Sequence, residues 1–265
     1  GVGPGQATFR FLAHDSQCMS DPTTAVTVNA KPIINYTGPT TACIGTNTTL
    51  SPTSGGTWVS SNNAVAQINM SGVITAISAG TTTFTYQSTT TGCVSNVSAP
   101  LTVIGRPVVS VSGPQSICIG TSTSVLPSSG GTWSSSNSMI ASINNSGVVS
   151  GIAPGSAVFY FTESSTGCIS DATLPITVND RPITSFDGPS TICQGAFTSV
   201  LPSGNGTWSS SNTNVATINN SGIVTGISSG IATLIYTAAT GCTSSGNLQV
   251  SVNGKPAITI NGPSS

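Results

Sequence analysis

Seven cysteines are the residues of this chain best suited to chemistry, and they stand at positions 18, 43, 93, 118, 168, 193 and 242. No two form a C-x-x-C pair, so zinc ligation and thioredoxin-type exchange lack their usual spacing. Disulfide formation remains, and an odd total leaves one thiol over. Little else could react. His14 is the only histidine, and the six carboxylates (Asp15, Asp21, Glu163, Asp171, Asp180 and Asp187) recur at no fixed position and form no calcium loop. Serine runs such as Ser134-Ser135-Ser136 have no base beside them to activate a nucleophile. No catalytic residue, metal site or cofactor is expected, and the chain does not read as an enzyme.

The composition narrows the partners. Only eleven of 265 residues are charged, about 4%, and the formal net charge is −1, against roughly 25% charged residues in an average domain. There is no basic face for nucleic acid or anionic lipid. No run of 18 apolar residues is present, so no membrane insertion is expected of this segment. Serine and threonine together number 84, so hydroxyls and amides must wet the surface in place of charges.

The cysteines belong to a repeat. Cys43, Cys118 and Cys193 lie 75 residues apart, as do Trp58, Trp133 and Trp208. Pro32, Pro107 and Pro182 share the period, and Pro256 arrives one residue early. Cys18, Cys93, Cys168 and Cys242 form a second cysteine series, the last also one residue short. The spacing gives three complete repeats, 32–106, 107–181 and 182–255. Residues 1–31 match the second half of a repeat, and 256–265 match the start of another.

Each repeat reads as all-β, with about seven short strands, near 33–37, 48–52, 56–60, 65–69, 72–77, 82–88 and 99–104 in the first. Short apolar alternations are bounded by Gly, Asn, Ser and Pro, and turn signals fall every 8–12 residues, the pattern of a small β-sandwich. The segments NMSG, NNSG and NNSG at 69–72, 144–147 and 219–222 suit tight hairpins, because Asn and Gly tolerate positive φ.

The phrase WSSSNTNVATINNSGIVTGISSGIA at 208–232, which recurs in the other two repeats, resembles the bacterial immunoglobulin-like group 2 repeat. That resemblance implies tandem immunoglobulin-like β-sandwiches in a head-to-tail array, the architecture of stalks in bacterial surface adhesins. The added I-C-x-G and T-G-C cysteines are similar to those in Ser/Thr-rich repeats of giant surface proteins of gliding Bacteroidetes, which implies export by the type IX route.

Two cysteines per repeat, 50, 50 and 49 residues apart, suggest the pairs Cys43–Cys93, Cys118–Cys168 and Cys193–Cys242, with the partner of Cys18 outside the chain. Each such bond would close a loop of about fifty residues and stabilise by about 4 kcal/mol. A bond across a repeat boundary, such as Cys93–Cys118, and buried free thiols are the alternatives. Either bonded arrangement implies an oxidising, extracytoplasmic compartment. Trp58, Trp133 and Trp208 are expected in the core against the disulfide, with a sugar-stacking platform as the alternative. Lys31, Arg106, Arg181 and Lys255 directly precede Pro32, Pro107, Pro182 and Pro256, so four of the five cations sit at repeat boundaries. Proline holds itself and the preceding residue extended, so each K/R-P pair reads as a short, stiff joint. Its cation would bond a carbonyl or carboxylate of the next repeat, or simply be solvated.

These readings converge on a structural stalk segment of a secreted bacterial surface adhesin or extracellular filament. Its expected partners are neighbouring repeats, a further copy in a filament, or a surface glycan or host ligand. A carbohydrate-binding array and an accessory region of a secreted enzyme are the competing readings.

Overall fold

The computed structural model describes residues 3–246, 248–259 and 262, and all regular structure among them is β. The chain divides into two compact units: Gly1–Pro107 with Thr166–Ile169, and Val108–Ser165 with Ser170–Ser265. The repeat at 182–255 has the fullest sheets. One has the order Ser185–Phe186, Phe197–Leu201, Ile223–Gly226, Ala216–Ile218, and the other Thr191–Cys193, Leu248–Asn253, Gly230–Ala238, Gly206–Ser210. All neighbours are antiparallel except Thr191–Cys193, which runs parallel to the last strand with Cys193 opposite Asn253. Two antiparallel sheets with this exchange of strands are the immunoglobulin arrangement. The same pairings recur in the other complete repeats, where the long strand is split into Gly80–Thr82 with Phe84–Ser88, and Gly155–Ala157 with Phe159–Glu163.

Period-two burial places the core between the sheets. Ala232, Leu234 and Tyr236 alternate inward on Gly230–Ala238 and meet Val200 and Val224 from the opposite sheet. Comparable clusters fill the other repeats, around Leu50, Ile74 and Phe84 and around Val125, Val149 and Phe159. Trp58, Trp133 and Trp208 belong to these clusters and are buried. Their ring centroids lie 5.0, 5.1 and 5.1 Å from those of Tyr86, Phe161 and Tyr236. Each indole Nε1 donates to a proline carbonyl, of Pro52, Pro127 or Pro202. The Trp therefore packs on an aromatic ring of the neighbouring strand; the expectation that a disulfide lies against it is corrected.

The hydroxyl-rich composition has a backbone role. Segment 95–98 runs beside Phe84–Ser88 without forming a regular ladder. Ser95 and Ser98 supply Oγ atoms to the amides of Tyr86 and Phe84, at 3.0 Å each. Their own amides donate back to the carbonyls of Tyr86 and Phe84 at 2.9 Å. Ser170 and Thr173 do the same for Phe161 and Phe159. Short hydroxyl side chains thus satisfy buried strand amides where irregular spacing denies them a carbonyl.

Residues 3–31 form a two-stranded sheet, Gly5–Ala7 against Val26–Val28. Phe9 and Phe11 there are 60% and 71% exposed, whereas their equivalents Phe159 and Phe161 are 0% and 2% exposed. Residues 256–259 carry no strand, and the rest of the expected start of a further repeat, apart from Gly262, lies outside the described residues.

The N-x-S-G hairpins show why glycine is required. Asn144 Oδ1 accepts from the amides of Ser146 and Val148, and Gly147 donates to the Asn144 carbonyl at 3.0 Å. Gly147 has φ +75°, and a Cβ there would stand 2.3 Å from the Val125 carbonyl oxygen. Gly147→Ala should lower stability by about 2 kcal/mol or more, read by urea unfolding, while Ser146→Ala should change it by less than about 0.5 kcal/mol. A second outcome concerns Tyr36, whose hydroxyl bonds the Ala99 carbonyl at 3.2 Å. Burial raises its pKa, partly offset by a hydrogen bond with Ser98. A raised folded-state pKa favours the neutral phenol, so this contribution is intact below the ordinary tyrosine value near 10 and is lost as pH rises through the raised one. Tyr36→Phe should remove part of the alkaline loss of stability, measured as thermal midpoints between about pH 8 and pH 11.

Candidate functional site: the cysteine-clamped joint

The cysteines occupy opposite poles of each sandwich. Cys43, Cys118 and Cys193 end the short parallel strand and open a C-x-G turn. Thr46, Thr121 and Ala196 donate to the three cysteine carbonyls at 3.0, 3.0 and 2.9 Å. The turn needs a positive φ at its third residue, supplied by Gly45 (+83°), Gly120 (+77°) and Gly195 (+85°), which is the reason for the x-G spacing. The T-G-C cysteines lie beyond the far end of the long strand, where the carbonyls of Cys93 and Cys242 accept from Ser88 and Ala238 at 3.0 and 2.9 Å.

This placement overturns the expected pairing within a repeat. Cys193 lies opposite Asn253, one residue beyond the Val252–Gly230 pair, and Cys242 follows Ala238 at the other end of Gly230–Ala238. A nine-residue strand separates the two sulfurs by about 25 Å at about 3.3 Å per residue, whereas a disulfide needs Cα atoms within about 7 Å. The structure instead bonds Cys43 to Cys168 and Cys118 to Cys242, each with Cα atoms 5.6 Å apart. Cys43–Cys93, Cys118–Cys168 and Cys193–Cys242 are therefore corrected, as is the alternative Cys93–Cys118. Every bond joins the C-x-G turn of one repeat to the T-G-C hairpin of the next. Cys168 and Cys242 are fully buried by it, and Cys18, Cys93 and Cys193 are free thiols. Repeat spacing alone could have suggested this register, since a shift of 125 residues aligns the two cysteine series as well as one of 50.

Three of the K/R-P cations, Arg106, Arg181 and Lys255, lie on the same turns. Arg106 Nε donates to the Ile44 carbonyl at 3.2 Å and Arg181 Nε to the Ile119 carbonyl at 2.8 Å. Each carbonyl is the residue after the cysteine, in the arginine's own repeat; the expectation of a bond to the next repeat is corrected for these two contacts. Lys31 Nζ reaches Asn96 Oδ1 of the following repeat at 3.1 Å. Lys255 lies 3.9 Å from the site a Cβ on Gly195 would occupy. In the second unit, Asn179 Nδ2 donates to Ser116 Oγ at 2.7 Å and to the Ile117 carbonyl at 3.3 Å, tying the last strand to the one that carries Cys118. Asp180, Arg181, Pro182 and Ile183 line a cleft of about 480 Å³ with Ala238 and Thr240. The strand Thr41–Cys43 and the hydroxyls of Ser95 and Ser98 were not anticipated, because their pairings are invisible to local periodicity. Among the described residues no group of three or more His, Cys, Asp or Glu side chains could hold a metal ion.

Fold and clamp together define a chain of tandem immunoglobulin-like β-sandwiches with disulfides between successive repeats. No family model matches it. Over 140 residues, 46% of the chain, it is 34% identical to ice-binding protein 1 of Shewanella frigidimarina, and it spans 15% of that protein's length. Among solved structures it is similar to invasin, a bacterial integrin-binding protein, at 14% identity over 95% of this chain and 66% of that one, TM-score 0.35. It is also similar to the C-terminal 282-residue fragment of intimin, solved with the intimin-binding domain of its translocated receptor, at 13% identity over 62% and 55%, TM-score 0.30. Domains 1–6 of the surface-layer protein SbsC match at 14% identity over 96% and 45%, TM-score 0.24.

Replacing Cys118 and Cys242 together by serine opens a loop of 124 residues and should lower stability by up to about 5 kcal/mol. Cys93→Ser, at a free thiol, should leave the midpoint of denaturant unfolding within about 0.5 kcal/mol of the parent. Pairing within a repeat requires Cys93→Ser to be the costly change.

Proposed function

We propose that this chain is a structural segment of a secreted bacterial cell-surface adhesin or extracellular filament, in which disulfide-clamped repeats at 32–106, 107–181 and 182–255 transmit tension. One observation carries this reading. The spans closed by Cys43–Cys168 and Cys118–Cys242 overlap between residues 118 and 168. The second repeat is thereby bonded covalently to both neighbours by side chains as well as by backbone. Any single backbone break between residues 43 and 242 leaves the two ends joined through at least one disulfide. The K/R-P joints, their arginines anchored on the clamped turns, support the same role by shortening the connection.

Two disulfides fit an oxidising compartment outside the cytoplasm. The resemblance of the repeats to those of gliding bacteria supports a type IX export route. Trp58, Trp133 and Trp208 are buried in the core, so they do not form the sugar-stacking platform of a carbohydrate-binding array.

Single-molecule pulling from residue 31 to residue 255 tests the mechanical reading. With both bonds intact, the shortest covalent path from Cys43 to Cys242 runs through both disulfides and the 50 residues between Cys118 and Cys168, in place of 199 residues of backbone. At about 3.4 Å per extended residue this segment should open to about 170 Å when oxidised and about 680 Å when reduced. Equal extension in the two states would refute tension-bearing clamps.

A further inference from the structure

A cleft opens where the second repeat meets the third. One wall is the joint segment 180–183, and the other is formed by Ala238 and Thr240 of the following hairpin, around a space of about 480 Å³. Clefts that take small ligands enclose about 300–1,000 Å³. We propose that this cleft is a binding site for an acidic glycan, and that it grips a sugar ring bearing a carboxylate.

The side chains around the cleft match such a ring group by group. Arg181 is held in place by its Nε bond to the Ile119 carbonyl at 2.8 Å. Asp180 Oδ1 accepts from the Arg181 amide at 2.8 Å. Among the described residues, nothing further bonds the two Arg181 Nη atoms or Asp180 Oδ2, and neither residue forms an ion pair. The paired Nη atoms suit both oxygens of a carboxylate. A carboxylate oxygen such as Asp180 Oδ2 accepts from ring hydroxyls. Pro182 and Ile183, the latter 87% exposed, offer an apolar surface to the C–H face of the ring. A neutral sugar would leave Arg181 unused, and an acidic peptide would set its own carboxylates against Asp180 without the hydroxyl donors that a sugar supplies.

The hairpin wall carries no acid of its own. Ala238 pairs with Gly206 as Glu163 pairs with Gly131, so the two residues hold the same position in successive repeats. Where the second repeat has a carboxylate, the third has a methyl group, and a carboxylate for Arg181 is left for a ligand to bring. The two walls are also tied covalently. Asn179, next to Asp180, bonds Ser116 Oγ and the Ile117 carbonyl on the strand that ends in Cys118. Cys118 is bonded in turn to Cys242, two residues beyond Thr240. The disulfide therefore holds the width of the cleft, and a site fixed in advance loses less entropy on binding.

The inference gives the adhesin reading a class of ligand and rests on that reading only for the setting in which a glycan is met. The clamp thereby acquires a second role, since the same bond that carries tension also shapes the site.

The test titrates the full oxidised chain with tetragalacturonate and with its methyl ester, which keeps the hydroxyls and removes the charges. Amide chemical shifts read affinity and location together. The expected result is saturable binding with shifts centred on residues 179–183 and 238–240, weaker by about tenfold or more for the ester. Arg181→Gln should weaken binding by about tenfold or more. Ala238→Glu, which gives the hairpin wall the carboxylate found at Glu163, should do the same while leaving Arg181 in place. Arg10→Gln, at a cation remote from the joint in sequence, should leave binding unchanged. Replacing Cys118 and Cys242 together by serine should weaken it in a chain that keeps the native amide spectrum. No shift at millimolar ligand, shifts centred elsewhere, equal binding of the ester or of tetraglutamate, or binding that survives both Arg181→Gln and Ala238→Glu would each overturn the proposal. The pulling experiment uses no ligand, so failure of the glycan site leaves the tension-bearing role standing, and equal extension in the two redox states would leave the glycan site standing.

Discussion

The distance a strand covers decides where sulfur can meet sulfur in this protein. The long strand of each repeat runs from the pole that carries the C-x-G turn to the pole that carries the T-G-C hairpin. At about 3.3 Å per residue it holds the two cysteines of a repeat several times farther apart than a disulfide spans. A bond can form only between repeats. The other features of the joint follow from that constraint. The short strand Thr41–Cys43 and its counterparts exist to place a cysteine beside the last strand of the repeat. The glycine of each turn then sends the chain back into the next strand, and Arg106 or Arg181 closes over the turn by bonding the carbonyl after the cysteine.

Freed from sulfur, the interior of each sandwich is held by ordinary burial and by hydroxyls. A repeat of about 75 residues with one tryptophan and a few aliphatic side chains makes a small core, and small cores leave little margin for unsatisfied polar groups. Serine and threonine supply what the irregular segment after the hairpin cannot. Ser95, Ser98, Ser170 and Thr173 each exchange bonds with the long strand through both hydroxyl and amide. Ser60 Oγ similarly donates to the Ala66 carbonyl at 2.8 Å in the buried interior. The scarcity of charge and the abundance of hydroxyls therefore share a cause, because the same short side chains that wet the surface also complete the backbone bonding inside.

Much of this was legible in the residues. The 75-residue period, the all-β character, the asparagine–glycine hairpins and the sandwich class follow from local alternation and turn chemistry, which act within a few positions. The pairing of the cysteines was not legible, because a loop of fifty residues looks closable until the intervening strand is known to be straight and pole to pole. The parallel strand before each C-x-G turn was missed for a related reason. Thr41–Cys43 is three residues long, and its partner lies some sixty positions away, so no local pattern marks it. The arginines were correctly singled out by position, but their carbonyl partners, Ile44 and Ile119, lie more than sixty residues upstream in the same repeat.

The placement of the bonds also bears on what they are for. If the disulfides served only to stabilise the folded chain, little would be gained by sending them across the joint. Loop-closure entropy grows only with the logarithm of loop length, so widening the loop from about fifty residues to about 125 adds only about 0.8 kcal/mol. What changes is continuity. Bonds within repeats would leave each joint resting on a single strand of backbone and on the non-covalent contacts of an isolated cation. Bonds between repeats give every residue from 43 to 242 a second covalent route past it, and the two routes overlap in the middle repeat. That property is worth little to a protein at rest. It matters to one that is pulled from its ends or nicked by proteases outside the cell, and it needs no ligand pocket, metal or catalytic residue.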